Sequence, residues 1–175
     1  MQGMKGEDIV DDTCWIVKTH SPYCMPEAPK FTCNKMFIIV RNPLDCILSW
    51  LNLICMANHS SKAPFTFSKE YPEWWKWWVK DCCKHISNWF KIVMKDARMR
   101  EVPILFIRFE DLINDPEVEL VNLMRFLTHL KDIEGTNAQR RIKEVLAKGK
   151  SATQTYSLKD TTHQYNSYAK EYSEE

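Results

Sequence analysis

Four residues of this chain have side chains suited to moving an anionic group: Lys18 and His20, two apart, and Arg41 and Ser49, eight apart. Lys18 and His20 close the run Cys14-Trp15-Ile16-Val17-Lys18-Thr19-His20, which has the β-branched and apolar character of a strand. In an extended strand residues two apart project to one face, so the ammonium and the imidazole point together. The ends of parallel strands are where open α/β sheets bind ligands. A lysine there neutralises charge on a leaving oxygen, and a histidine accepts a proton from an attacking hydroxyl. Taken singly, a strand-end histidine is ordinarily just a solvated or satisfied residue.

Arg41 and Ser49 belong to a second junction. Met36-Phe37-Ile38-Ile39-Val40 is an unbroken apolar run of strand length, the pattern of a strand buried on both faces. Asn42 suits a helix N-cap, Pro43 suits the first helical position, and Asp45 falls in the first turn, where its charge favours the helix dipole. Free backbone N–H groups at such a helix start attract phosphate or sulfate. Arg41 adds a guanidinium fork and Ser49 a hydroxyl two turns in. A capped helix with a surface arginine is the plain alternative, because capped junctions are common.

A third apolar run, Val102-Pro103-Ile104-Leu105-Phe106-Ile107-Arg108-Phe109, precedes Glu110-Asp111-Leu112 and then Asn114-Asp115-Pro116. It predicts a buried strand, a short helix, and a second helix from Pro116. That helix carries an apolar stripe of Val118, Val121, Met124 or Leu123, Leu127 and Leu130.

Together these three elements resemble the sulfotransferase family that uses 3′-phosphoadenosine-5′-phosphosulfate (PAPS). Lys18-Thr19-His20 is similar to the family's catalytic strand end. Arg41-Asn42-Pro43-Leu44-Asp45 followed by Ser49 is similar to its 3′-phosphate motif, and Phe109-Glu110-Asp111-Leu112-Ile113-Asn114-Asp115-Pro116 to its Tyr-Glu-Asp-Leu-x-x-Asp-Pro pattern. The resemblance covers roughly residues 12–130. It implies a sulfotransferase moving a sulfuryl group from PAPS to a hydroxyl or amine acceptor, without a metal. Arg41 and Ser49 would hold the 3′-phosphate, His20 would be the general base, and Lys18 would stabilise the bridging oxygen. Phe109 stands where the family has a tyrosine near the adenine and lacks the hydroxyl. The partner implied is a small-molecule or carbohydrate acceptor.

Two departures from the family stand out. Nothing before Lys18 resembles its first strand and Ser/Gly/Thr-rich phosphosulfate loop. The chain holds only four glycines, Gly3, Gly6, Gly135 and Gly149, so no glycine-rich phosphate cradle exists. A truncated chain, an incomplete gene model or a degenerate member would each account for this. Towards the other end, Ala147-Lys148-Gly149-Lys150 or Lys159 would replace the family's basic closing segment, although Gly149 also suits a plain helix C-cap.

Composition sets wider bounds. The 175 residues, 45% hydrophobic, suit one domain over 1–175, with 151–175 an irregular C-terminal segment. A net charge of +1 gives no basic field for nucleic acid. No stretch approaches the ~20 apolar residues of a membrane span. Residues 1–15 do not look like a signal peptide, which points to a cytoplasmic protein. Seven cysteines form no zinc spacing. Cys46, Cys55, Cys82 and Cys83 fall in helical segments and read as reduced core thiols.

The architecture expected is α/β: a parallel sheet flanked by helices, P-loop-like and N-terminally truncated. At least three strands, near 14–20, 36–41 and 102–109, alternate with helices near 43–57, 73–97, 117–130 and 138–148. The longest helix carries Trp75, Val79, Cys82, Ile86, Trp89 or Phe90, and Val93 on one face, placed to cover the sheet. Trp74, Trp77 and Trp78 cannot all share that face, which leaves some for an acceptor pocket or lid. The alternative to an enzyme is an inactive remnant that binds the nucleotide or serves as an interaction module.

Overall fold

Two β-rich apolar runs and four amphipathic stretches dictate most of the backbone. In the computed structural model, residues 11, 13–19, 32–57, 66–100, 102–148 and 172 are described. The fold is α/β and rich in helix. Its elements run β1 (Met36–Val40), α1 (Pro43–Met56), α2 (Phe67–Glu70), α3 (Pro72–Arg100), β2 (Ile104–Arg108), α4 (Phe109–Asn114), α5 (Pro116–Thr128) and α6 (Asn137–Lys148). Strands β1 and β2 pair in parallel, Met36 opposite Ile104 through Val40 opposite Arg108.

The sheet is smaller than expected. Among the described residues it has two strands, not three or more. Residues 13–19 carry no strand: Thr13 sits in a turn anchored by Asp11, and Trp15 and Ile16 are exposed. Cys14 N donates to the Asp11 carbonyl and the Cys14 thiol to the Ile16 carbonyl, local contacts that hold the start of this segment irregular, so β propensity alone does not make it a strand. His20 lies outside the described residues.

Residues in parallel register project to the same side of a sheet, and successive residues to opposite sides. Ile38 and Phe106 therefore share one face, and Ile39 and Ile107 the other. Ile38 and Ile107 are buried, yet Ile39 is 49% and Phe106 41% exposed. Each face is thus covered over one strand and open over the other, where full burial of both strands was expected. On the Phe106 side the ring of Phe90 from α3 stacks at 6.3 Å.

The main core lies between helices. Ile47, Leu48 and Leu51 of α1 pack with Phe67 of α2 and with Trp75 and Cys82 of α3, and Trp78, Val79 and Ile86 close around them. Helix α3 packs chiefly on α1 rather than spreading over the sheet. Trp74 and Trp77 remain exposed, while Trp78 leans on Trp50 at 5.2 Å. Tyr172 joins this core from near the far end of the chain: its ring meets Trp75 at 5.3 Å and its hydroxyl donates to the Leu44 carbonyl at 2.6 Å.

Helix ends follow local chemistry. Asp115 accepts from Val118 N to start α5, and Pro116 fills the first helical position. His129, in the left-handed conformation at φ 60°, ends α5 before Leu130, so Leu130 falls outside the stripe assigned to it and Val118 is exposed. Lys35, just before β1, donates to the carbonyls of Phe126 and Leu127 at 2.5 and 2.8 Å, a cation on the last turn of α5. At α6, Thr136 accepts from Gln139 N while the Gln139 side chain reaches back to Gly135 N, a reciprocal cap.

Replacing Lys35 with Met, which keeps the stem and removes the donor, should cost about 1–2 kcal/mol of unfolding free energy. Tyr172→Phe should cost about 1 kcal/mol through loss of one hydrogen bond. Urea denaturation measures both, with an unchanged slope expected for each.

Candidate functional site

The offset that pairs Met36 with Ile104 does not stop where the strands do. One step past Val40 and Arg108, the Arg41 guanidinium carbon sits 4.8 Å from the centre of the Phe109 ring. One step further, the Asn42 amide donates to Glu110 Oε1 at 2.8 Å, across the same separation of 68 residues. Both chains have by then left the strand conformation: Asn42 caps α1 and Phe109 begins α4. Side chains therefore continue the register that main-chain atoms no longer can.

The cap itself is as the sequence leads one to expect. Asn42 Oδ1 accepts from Leu44 N at 3.1 Å and Pro43 opens the helix. The expectation of free amides for an anion needs correcting. Asn42 N is taken by Glu110 and Leu44 N by the Asn42 side chain, so protein oxygens already occupy these helix-start donors. With these two amides engaged, the Arg41 guanidinium stands at the junction, half-buried and backed on one side by Phe109. Stacking a cation on a ring in this way is worth roughly 0.5–2 kcal/mol and restricts its orientation.

Beneath the junction sits Asp45, 5% exposed. Its Oδ2 is 3.3 Å from Asn42 Nδ2, and among the described residues its buried Oδ1 has no partner. Burial pushes the neighbouring Cys46 thiol up from its ordinary value; Arg41 pulls it down, while Glu110 and Asp45 add to the rise. These three charged groups therefore surround the first turn of α1. Ser49, half-buried, lies one turn beyond Asp45 on the same side of the helix, roughly 9 Å along the axis from Pro43.

Phe109, expected near an adenine, backs Arg41 in this structure. Lys18 is exposed in the irregular segment rather than at a strand end. Among the described residues no cluster of His, Cys, Asp or Glu is arranged to hold a metal ion. Also among them, no helix is long and apolar enough to cross a membrane. Glu110 was not singled out as a site residue, because its role becomes visible only once the parallel pairing and its offset are known.

A family model described as "Sulfotransferase domain" matches residues 10–171. The chain belongs to the sulfotransferase family. It is 32% identical to Sulfotransferase 1C2 of Homo sapiens over 123 residues, 64% of this chain and 36% of that protein. Sulfotransferase 1B1 of Canis lupus familiaris is 28% identical over the same extents. This sulfotransferase chain thus spans about a third of the length of the curated relatives it matches. No solved structure matches it.

The cysteines report on how the helices of this sulfotransferase pack. Cys82 is buried, and burial, followed by the charges of Asp81 and Cys83, pushes its thiol up to about 11 from 9.0. Cys33, Cys55 and Cys83 are exposed, so Cys55 and Cys83 are not the core thiols expected from their helical setting. At pH 8 the thiolate fraction of Cys82 should be roughly a hundredfold below that of an unshifted thiol. Iodoacetamide followed by peptide mass analysis should label Cys33, Cys55 and Cys83 first, and Cys82 only on unfolding. Equal labelling of Cys82 and Cys83 in the folded chain would overturn the packing of α3 on α1.

Proposed function

We propose that this chain takes part in moving a sulfuryl group from PAPS to a hydroxyl or amine acceptor, and that Arg41 and Ser49 receive the 3′-phosphate. The observation that carries this is the Arg41 guanidinium held against Phe109 at a strand-to-helix junction. A fixed guanidinium is the side chain best matched to a doubly charged phosphate ester. The residues present fit that end of the nucleotide: one oriented cation, one hydroxyl farther along the same helix, and helix-start amides already committed elsewhere. Membership of the sulfotransferase family supplies the donor.

PAPS when bound supplies a sulfuryl group on a phosphate leaving group. The roles of this chain's own residues are then as follows. Arg41 and Ser49 bind and orient the 3′-phosphate. Phe109 backs the Arg41 guanidinium. His20 accepts the proton of the acceptor's hydroxyl or amine, and Lys18 neutralises the oxygen that departs from sulfur. The acceptor is a small molecule or a carbohydrate. The free thiols of Cys14, Cys33, Cys46, Cys55, Cys82 and Cys83 agree with a reducing compartment such as the cytoplasm.

A second possibility is favoured by one observation: Lys18 is exposed in a segment without strand structure. On that view the chain binds the 3′ end of the nucleotide and transfers nothing. Calorimetry with adenosine 3′,5′-bisphosphate separates this from loss of the site altogether. Arg41→Ala should weaken binding by about 2–4 kcal/mol, the cost of removing a desolvated charged partner. Unchanged affinity would sink the assignment of Arg41. In a sulfate-transfer assay His20→Ala should lower kcat by roughly 10²–10⁴ and leave nucleotide affinity near that of the wild type. Binding without any transfer by the wild-type chain would favour the non-catalytic alternative.

A further inference from the structure

We propose that Glu110 is a positioning residue for the nucleotide site, fixing the Arg41 guanidinium by holding the amide of the next residue; this rests on Arg41 meeting a 3′-phosphate as proposed above. Three observations converge. The Glu110 carboxylate accepts the Asn42 amide at 2.8 Å from the first turn of α4. Its chain neighbour Phe109 backs the guanidinium of Asn42's chain neighbour, Arg41, at 4.8 Å. Both contacts extend the pairing in which Val40 faces Arg108. Arg41 and Asn42 are thus pinned at two adjacent points by two adjacent residues of a different element.

The division of labour follows from geometry. A ring beneath a guanidinium fixes its distance but leaves it free to rotate and slide. The backbone sets the point from which the side chain springs, and so limits the positions the guanidinium reaches over that ring. The strand pairing ends with Val40 facing Arg108, and beyond it the Glu110 side chain takes the Asn42 amide. A carboxylate here gives a short charge-assisted bond, stronger than a neutral one. Its negative charge also lies at the start of α1, favourable to the helix dipole. Glu110 pays a cost in return, since it brings a like charge toward the anion that Arg41 is to bind. A residue placed only for affinity would not be acidic. One placed for geometry tolerates that cost.

The test compares two probes in the full chain, adenosine 3′,5′-bisphosphate and adenosine 5′-phosphate, which differ only in the 3′-phosphate. Glu110→Ala should reduce the preference for the bisphosphate at least tenfold, with the affinity for adenosine 5′-phosphate changed less than threefold. Glu110→Gln, which keeps the length and an acceptor oxygen, should retain most of the preference. Glu110→Asp, too short to reach, should behave like the alanine variant and replaces it if that variant does not fold. A merely structural role predicts equal loss for both probes, and that result overturns the proposal.

A second readout needs no nucleotide. The Arg41 Nε–H resonance, displaced by the Phe109 ring current in the wild type, should move toward the value of an unstacked arginine in Glu110→Ala and stay put in Glu110→Gln. If the wild type shows no preference between the probes, the 3′-phosphate assignment fails on its own, and this resonance still decides whether Glu110 orients Arg41. A resonance unmoved by Glu110→Ala overturns the inference whatever the nucleotide does.

Discussion

A parallel pairing that outlasts its own strands is the constraint on which the rest of this site depends. Main-chain bonds hold Met36–Val40 against Ile104–Arg108. Beyond them, Phe109 under Arg41 and Glu110 on the Asn42 amide keep the two chains in step as one turns into α1 and the other into α4. Without that continuation, the arginine would follow directly on a pairing that, among the described residues, joins two strands and ends at Val40 and Arg108. Parallel strands are rarely stable without cover on both faces. Here the helices cover each face over one strand only, leaving Ile39 and Phe106 accessible. The junction's side-chain bonds therefore contribute to holding the sheet as well as to forming the site.

This helix start differs in kind from the open one a strand-proline-helix motif suggests. A helix start usually offers its amides to an anion. In this chain Glu110 and the Asn42 side chain take the Asn42 and Leu44 amides, and Asp45 lies buried just below. Two carboxylates so near would repel a phosphate bound to backbone alone, which leaves the guanidinium as the group that makes an anion welcome. Its orientation then matters more than it would in an amide nest, where several donors share the charge. That explains why two residues of another element are committed to holding Arg41 in place.

Among the described residues of this family member the main core is helical. The tryptophan-rich helix α3 buries Trp75, Cys82 and Val93 and presents Trp74 and Trp77 to the outside. Its inner face packs on Ile47, Leu48 and Leu51, the same helix that carries Ser49. Tyr172 locks onto Trp75 and the Leu44 carbonyl, so the core that steadies α1 includes a residue from the far end of the chain.

Much of this was written in the chain order. Periodicity located α1, α3, α5 and α6 to within a few residues, because apolar spacing and caps such as Asn42-Pro43 and Asp115-Pro116 act locally. The apolar runs likewise located β1 and β2. Tertiary structure decided what depends on a neighbour. The run from Cys14 to Thr19 has strand-like residues and no strand, since propensity alone does not decide strand pairing. The Asn42 amide meets Glu110, and Phe109 lies under Arg41, because two segments far apart in sequence are paired at one particular register. Local patterns specify which elements form; which atoms of different elements meet is set by pairing and packing between them, and in this protein that includes the orientation of its key arginine.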